Sequence, residues 1–175
     1  NPKIGYDPAV DFTPIINIAA TPNVIAVHPS FPAKDYKTFL EVIKKNPGKY
    51  SFASSGTGGI GHLQMELFKS LSSTFITHIP YRGAGPALQD LVGGQVDMMF
   101  DGLGSSATHI KSGRIKALAV ASAKRAPGFP DVPTSAEAGV PGYQVATWYG
   151  LWALKGTPAS VVERMRAEMA KAFTL

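Results

Sequence analysis

The residues best suited to chemistry form one Gly-rich turn in the middle of the chain, Ser54-Ser55-Gly56-Thr57-Gly58-Gly59-Ile60-Gly61. The turn follows a short apolar run and precedes a helical pattern, so it lies at the start of a helix. Glycines let a ligand approach the backbone, and the free amides at the positive end of a helix dipole hold an anion. The hydroxyls of Ser54, Ser55 and Thr57 add donors that bind a charged ligand more strongly. The turn therefore predicts a cradle for a carboxylate or a phosphate.

The same turn has two other interpretations. Gly56, Gly58 and Gly61 match the G-x-G-x-x-G fingerprint of dinucleotide-binding folds. That fingerprint also needs an acid at the end of the next strand to hold the ribose, and none is present there. Arg82 would suit a ribose phosphate instead, which leaves an NADP-dependent oxidoreductase fragment open. The third interpretation is a structural turn without a ligand.

A nucleophile, a base and an acid are also available around the turn. Ser54 or Ser55 would be the nucleophile of a serine hydrolase, His62 or His78 its base, and Asp101 its orienting acid. The G-x-S-x-G motif is absent, which makes this the weaker alternative. We interpret His62 as a packed or solvent-facing side chain. The four histidines lack metal-ligand spacing and the chain has no Cys, so no metal is expected, and apart from the NADP of the alternative interpretation no cofactor is expected.

Apolar periodicity predicts strands that alternate with helices around the turn. Strands are predicted at 23–28, 50–53, 75–79, 96–100 and 115–120, and helices at 34–45, 62–71, 86–92 and 105–112. Strands separated by helices of this length imply an α/β fold with a mainly parallel sheet flanked by helices.

In open parallel sheets, ligands bind beyond the carboxyl ends of the strands. The predicted sheet brings three loops to that edge: residues 54–59, 81–85 and 101–103. Two ordinary roles compete with ligand binding in these loops. Arg82 would pair with Asp90 or Asp97 at the surface. Asp101 would cap the helix that follows it.

The chain changes character after Ser122. Residues 124–143 contain four prolines, and we interpret them as a transition between two lobes. The later segments are a short helix, an aromatic strand and a closing helix, predicted at 135–138, 145–154 and 158–173. The predicted domains are therefore residues 1–122 and residues 123–175.

The closing segment carries apolar side chains that need partners. Alternation along the aromatic strand places Trp148 and Trp152 on one face, where one of them would line a cleft. Thr157 is predicted to cap the closing helix. The apolar face of that helix consists of Val161, Val162, Met165 and Met169.

Composition excludes several classes of protein. Of the 175 residues, 45% are hydrophobic and 17% are charged, against roughly 25% charged in an average domain, which excludes disorder and fibrous structure. The net charge of +5 is scattered outside the Gly-rich middle, whereas a nucleic-acid surface concentrates its basic residues. No apolar run approaches the ~18 residues of a membrane helix. Neither nucleic acid nor insertion into a membrane is expected.

Several motifs together resemble one known family. They are Pro22-Asn23-Val24 with Val27-His28-Pro29-Ser30, Tyr50-Ser51-Phe52-Ala53-Ser54-Ser55-Gly56 with His62-Leu63, Ile79-Pro80-Tyr81-Arg82-Gly83 with Gly85-Pro86-Ala87-Leu88, Gly93-Gly94-Gln95-Val96-Asp97 with Met99-Phe100-Asp101, Lys116-Ala117-Leu118-Ala119-Val120, and Asp131-Val132-Pro133-Thr134 with Glu137-Ala138-Gly139. In order and spacing they are similar to the substrate-binding proteins of tripartite tricarboxylate transporters, the Bug (TctC-like) family, over nearly the whole chain.

The resemblance implies a fold, a function and a set of site residues. The fold would be a lobe like those of type II periplasmic binding proteins, plus part of a second lobe. The function would be capture of a small di- or tricarboxylate in the periplasm, without catalysis, for the membrane subunits of a transporter. The implied ligand-binding residues are Ser54, Ser55, Gly56, Thr57, Gly58, Gly59, Tyr81, Arg82, Gly83, Asp101 and Trp148.

Length sets this sequence apart from the family. Members have about twice the length of one domain, and the opening units of their first lobe have no counterpart here. We therefore expect a complete second lobe with an incomplete first lobe, which would bind dicarboxylates weakly or not at all by itself. The apolar faces of residues 144–175 would then be covered by a partner chain or a second copy, in a homo-oligomer or a swapped dimer.

Overall fold

The structure is a computed structural model that describes residues 4–173. Its elements, in chain order, are β1 (Phe12–Val27), α1 (Tyr36–Lys45), β2 (Ser51–Ser54), α2 (Ile60–Ser72), β3 (Thr77–Pro80), α3 (Ala84–Val92), β4 (Met98–Gly102), α4 (Leu103–Lys111), β5 (Lys116–Val120), β6 (Ala146–Leu154) and α5 (Ala159–Ala172). The predicted alternation is confirmed, although β1 is much longer than the strand predicted at 23–28. The helix predicted at 135–138 is wrong. That segment forms turns, in which the amide of Ala138 donates to the carbonyl oxygen of Thr134 at 2.9 Å, and Gly139 with φ +96° prevents the turn from continuing as a helix.

The chain divides into two compact units. Of the described residues, 21–147 form one, the central unit, and 4–20 with 148–173 form the other, the terminal unit. The central unit extends past the predicted boundary at residue 122 because Tyr143, only 1% exposed, packs into its core. Residues 124–143 are thus part of the central unit rather than a transition segment.

The sheet of the central unit has the strand order β3-β2-β4-β1-β5, and β6 also pairs with β1. β2 is parallel to β3 and to β4, as expected for strands joined by crossover helices. β1 is antiparallel to β4 and to β5. The α/β class is therefore confirmed, with a mixed sheet in place of a mainly parallel one. Periodicity shows that a segment is a strand but does not show its direction.

Both faces of this sheet are buried against helices. One face packs on α1 and α2, where the rings of Phe68 and Phe100 lie 5.3 Å apart. The other face packs on α3 through Met99, Leu88 and Leu91. Side chains alternate between the two faces along β4, which explains why Met98, Met99 and Phe100 are all apolar and buried.

The terminal unit joins the first half of β1 to α5. Arg166 Nε donates a hydrogen bond to the carbonyl oxygen of Ile15 at 2.9 Å. Of the predicted apolar face of α5, Val162 is buried, whereas Val161 and Met165 are exposed. The capping prediction is wrong, because the hydroxyl of Thr157 donates to Leu154 rather than accepting from the helix.

Aromatic side chains gather on one face of β6. Trp148 and Trp152 lie on the same face, as predicted, with ring centroids 5.5 Å apart. Together with Tyr6, Pro8 and Phe12 they line an open cavity of about 430 Å³.

Candidate functional site

Two of the three predicted loops lie side by side at the carboxyl ends of β2 and β3. The first is the glycine loop, residues 55–59. The amide of Tyr81 donates to the carbonyl oxygen of Ser54 at 2.9 Å, and the amide of Gly83 donates to that of Ser55 at 3.0 Å. Backbone hydrogen bonds therefore hold the glycine loop against the loop that follows β3.

The third predicted loop lies next to the glycine loop, at the end of β4. β2 and β4 pair in parallel with Ala53 opposite Met99. Two residues further along each strand, Ser55 and Asp101 lie at the same edge of the sheet. The strand order thus brings all three loops together.

Three helices begin at this edge, and none of them has a capping side chain. α2, α3 and α4 follow Gly59, Gly83 and Gly102, and no side chain accepts a hydrogen bond from their first turns. α1 begins at the opposite edge and has a capping box, in which Asp35 Oδ1 accepts from the amide of Thr38 at 2.8 Å. Uncapped first-turn amides and three positive helix ends favour an anion at this edge.

Two glycines in these loops have backbone conformations that other residues rarely adopt. Gly58 has a φ of +82° and Gly83 a φ of +109°. A Cβ at either position would meet no atom within 4 Å. The conformation, rather than a lack of space, requires glycine here.

The three hydroxyl groups of the Gly-rich turn have different surroundings. Ser55 and Thr57 are exposed, so their hydroxyls are accessible to a ligand. Ser54 is fully buried, and its Oγ lies 3.1 Å from the carbonyl oxygen of Gly56 and 3.3 Å from the Gly56 amide. Ser54 therefore shapes the loop from within, instead of offering its hydroxyl to a ligand as the sequence suggests.

Two histidines support the glycine loop, a feature that the sequence analysis missed. Ser54 Oγ lies 2.6 Å from Nε2 of His78. His62 Nδ1 accepts a hydrogen bond from the amide of Gly58 at 3.0 Å. Burial, and then the neighbouring His62, lower the pKa of His78. The histidines are too far apart in sequence for spacing to indicate that they meet, since α2 and β3 bring them together only in the fold.

Arg82 does not form the surface ion pair that competed with ligand binding. It is exposed, and within residues 4–173 it has no acidic partner. Asp90 instead accepts the hydroxyl of Tyr81 at 2.7 Å, and Asp97 accepts the amide of Ser51 at 2.8 Å. The guanidinium of Arg82 is therefore available to a ligand.

Asp101 does not cap α4. The N-cap is Gly102, and Asp101 Oδ2 accepts hydrogen bonds from the hydroxyls of Ser105 and Ser106, the second at 2.8 Å. Both bonds go to one carboxylate oxygen, so Oδ1 is left without a partner among the residues that the structure describes.

The geometry does not support a serine hydrolase. Ser54 and His78 are within hydrogen-bond distance, but Ser54 is 0% exposed and cannot reach a substrate. Asp101 bonds to serines of α4 rather than to a histidine. The nucleophile, base and acid that the triad needs are therefore not assembled.

The described part of the chain contains neither a metal site nor a membrane-spanning helix. Between residues 4 and 173, no three side chains of His, Asp or Glu are grouped to hold a metal ion. Within the same range, no helix combines the length and the apolar character needed to cross a bilayer.

Trp148 is the one predicted site residue outside this arrangement. It belongs to the terminal unit and is 57% exposed, whereas the other ten predicted residues belong to the central unit. Its role as a ligand contact stays a prediction.

Known proteins resemble this chain over nearly all of its length. Residues 1–175 match the family model described as tripartite tricarboxylate transporter family receptor. A protein of Pseudomonas sp. (strain P51), named UPF0065 protein in tcbD-tcbE intergenic region, is 45% identical over 98% of this chain and 52% of its own length. The chain spans about half the length of the curated relatives it matches.

Solved structures share the fold closely. One, described as a periplasmic transporter, is 51% identical with a TM-score of 0.95, over 98% of this chain and 58% of that one. Rpa4515 of R. palustris with adipate is 40% identical with a TM-score of 0.93, over 96% and 56% of the two chains. MatC of Rhodopseudomonas palustris with bound malate is 37% identical with a TM-score of 0.92, over 98% and 58%.

The matched family is one of receptors, and these structures are of binding and transport proteins rather than enzymes. This argues against the NADP-dependent oxidoreductase fragment, as does the absence of an acid at the end of β3, which closes on Pro80. The resemblance stated from the motifs is confirmed. The chain therefore belongs to the TctC family of tripartite tricarboxylate transporter receptors.

Proposed function

We propose that the polypeptide carrying this sequence is a periplasmic solute-binding protein that captures a small organic acid by its carboxylate for a tripartite tricarboxylate-type transporter. One observation carries the proposal: three helices with glycine N-caps and no capping side chain begin at one edge of the sheet. Family membership supports it, as do relatives described with adipate and with malate. The description of a close relative as periplasmic supports a location outside the cytoplasm.

The proposed site binds a carboxylate through several weak interactions that add together. One helix end contributes about 0.3 to 1 kcal/mol, or up to ~2 kcal/mol when partly buried, whereas micromolar binding needs about −8 kcal/mol. The three helix ends therefore act together with the hydroxyls of Ser55 and Thr57 and the guanidinium of Arg82. Ser54 holds the loop in shape from below.

Asp101 places a second requirement on the ligand of the proposed site. A carboxylate repels an anionic ligand but accepts a hydrogen bond from a hydroxyl or an amine. Its free Oδ1 therefore favours an organic acid that carries such a group near the bound carboxylate.

We also propose that the central unit is one complete ligand-binding lobe. Its sheet, both of its buried faces and all three loops lie within residues 21–147. The terminal unit would then belong to the other lobe.

Titration calorimetry tests the proposal. The full polypeptide is titrated with adipate, L-malate, other C4 to C6 dicarboxylates, acidic amino acids and aromatic acids. We expect at least one of these acids to bind, and Arg82→Ala and Thr57→Val to weaken that binding by about tenfold each. Arg114→Ala is the matched control, because Arg114 follows the far end of α4. Equal affinities in Arg82→Ala, Asp101→Ala and the parent would contradict the site assignment.

The exposed apolar side chains of the terminal unit bear on the prediction of a partner chain or a second copy. Val161, Met165, Trp148 and Trp152 are all exposed. Sedimentation of residues 1–175 is expected to show self-association. A monomer that binds no hydrophobic dye would contradict this expectation.

A further inference from the structure

Three rings form a column beneath the glycine loop. The imidazoles of His62 and His78 stack with centroids 4.1 Å apart and planes 8° from parallel. Phe52 covers the other face of His78 at 4.6 Å and 16°. The column joins α2, β3 and β2, the three elements that border the loop.

His62 binds the loop that precedes α2 and leaves the first-turn amides of the helix uncapped. It is the third residue of α2, and its Nδ1 accepts the amide hydrogen of Gly58, the residue before the N-cap. In a capping box, Glu or Gln at this position accepts from the amide of the N-cap itself, whereas His62 reaches one residue further back. An imidazole nitrogen accepts a hydrogen bond only when it carries no proton, so this loop conformation requires neutral His62 with its proton on Nε2. Protonation of Nδ1 would point its N–H at the N–H of Gly58, so that two donors would face each other without an acceptor.

His78 holds the start of the loop and tolerates protonation. Its Nε2 meets Ser54 Oγ, which also contacts the carbonyl oxygen of Gly56. When Nε2 carries a proton it donates to Oγ, and the hydroxyl then donates to Gly56. The bond at Gly58 is therefore the one that depends on the charge of an imidazole.

The charged groups around the column act in opposite directions, because Glu66 favours protonation of His78 whereas His62 and Lys69 oppose it. Glu66 Oε1 lies 3.8 Å from His62 Nε2, but the same oxygen accepts from Lys69 Nζ at 2.8 Å. Residues 55–59 carry no charged side chain. Two positive rings at the observed stacking distance would repel each other.

We propose that His62 and His78 are positioning residues for carboxylate binding, and that the glycine loop keeps its binding conformation only while His62 is neutral. The inference rests on the proposed function for its ligand but not for its geometry. Affinity for a carboxylate should therefore fall when the pH is lowered far enough to protonate His62.

The first test uses the full polypeptide without any ligand. Nuclear magnetic resonance follows the amide of Gly58 and the ring of His62 while the pH is lowered. We expect the chemical shift of the Gly58 amide to change together with the protonation of His62. Once His62 is protonated, the Gly58 amide hydrogen should exchange faster with solvent. A Gly58 amide that does not respond to His62 overturns the inference, whatever the protein binds.

The second test measures the affinity for adipate and L-malate from about pH 7.5 to about pH 5.5. His62→Asn offers a side-chain oxygen close to the position of Nδ1 and does not titrate. Over this pH range we expect the affinity of the parent to fall about five- to tenfold more than that of His62→Asn. This difference corresponds to the loss of one hydrogen bond. His109→Asn, at the far end of α4, should behave like the parent.

Different results would overturn the proposed function and the positioning role of the histidines. If the parent and His62→Asn lose affinity equally as the pH falls, the positioning role is overturned, because the loss is then caused by protonation of the ligand. If neither acid nor any other member of the panel binds at neutral pH, the proposed function fails, and the resonance experiment still decides the inference.

Discussion

The hydroxyl of Tyr81 donates a hydrogen bond of 2.7 Å to Oδ2 of Asp90. Tyr81 precedes α3, and Asp90 lies in its second half, so the bond ties the loop after β3 to the body of the helix that follows it. The neighbouring Arg82 is left exposed at the edge where the three loops meet. Burial, followed by the bond to Asp90, raises the pKa of Tyr81 to about 12.

Alkaline titration of Tyr81→Phe tests this bond. A phenol whose pKa is raised on folding stabilises the protein fully below its unfolded value, 10.0, and loses that contribution as the pH rises towards 12. We expect the parent to lose stability to urea in this window and Tyr81→Phe to lose less. In the alkaline titration followed by phenolate absorbance, the variant should also lack one tyrosine that ionises at high pH. Equal losses in the two proteins would show that Tyr81 is not protected.

Replacement of Gly61 by Ala tests the contact between α2 and β4. A Cβ on Gly61 would lie 2.8 Å from the carbonyl oxygen of Phe100, and a backbone atom in the middle of a sheet cannot move aside. We expect Gly61→Ala to lower the free energy of unfolding by about 1 to 3 kcal/mol. Gly104→Ala, a helical position with no atom within 4 Å, should instead gain up to about 1 kcal/mol. Urea unfolding measures both, and a neutral Gly61→Ala would contradict the packing.

Replacement of Gly150 by Ala tests the aromatic face of β6. The ring of Trp152 lies directly over Gly150, where a Cβ would collide with it. The added methyl group should push that ring away from Trp148. Trp148 and Trp152 are the two tryptophans of the 175 residues, so near-ultraviolet circular dichroism of this chain reports on them. We expect a weaker tryptophan band in Gly150→Ala and an unchanged one in Gly128→Ala, where the methyl meets no atom within 4 Å.

The capping box of α1 predicts a dependence of stability on pH. The amide of Thr38, and then its hydroxyl, lower the pKa of Asp35 below its ordinary 3.8. A lowered pKa contributes stability above the unfolded value and loses it as the pH falls through the folded one. Asp35→Asn keeps a capping oxygen but does not titrate. We expect its melting temperature to fall less than that of the parent as the pH is lowered towards 3, whereas Asp131→Asn should follow the parent.

Much of the fold could be predicted from local patterns. The apolar stripe of α1 and the glycines and prolines after each element gave the alternation of strands and helices. The motifs gave the family. The direction of β1 could not be predicted, because an apolar run reads the same whether its strand is parallel or antiparallel to its neighbours. The place of residues 124–143 was also missed, since four prolines indicate irregular structure but do not show that Tyr143 fills the core.

For the site, the sequence by itself predicted the three loops at which we propose that an anion binds. Glycines at the starts of three helices after three strands are a local signal, because backbone conformation and the helix dipole depend on neighbouring residues. Only the tertiary structure decided what each side chain does there. It buried Ser54, left Arg82 without an acid among the described residues, turned Asp101 towards two serines, and stacked His62 on His78. These outcomes depend on contacts between residues far apart in the chain, which strand order and packing fix and which no local pattern records.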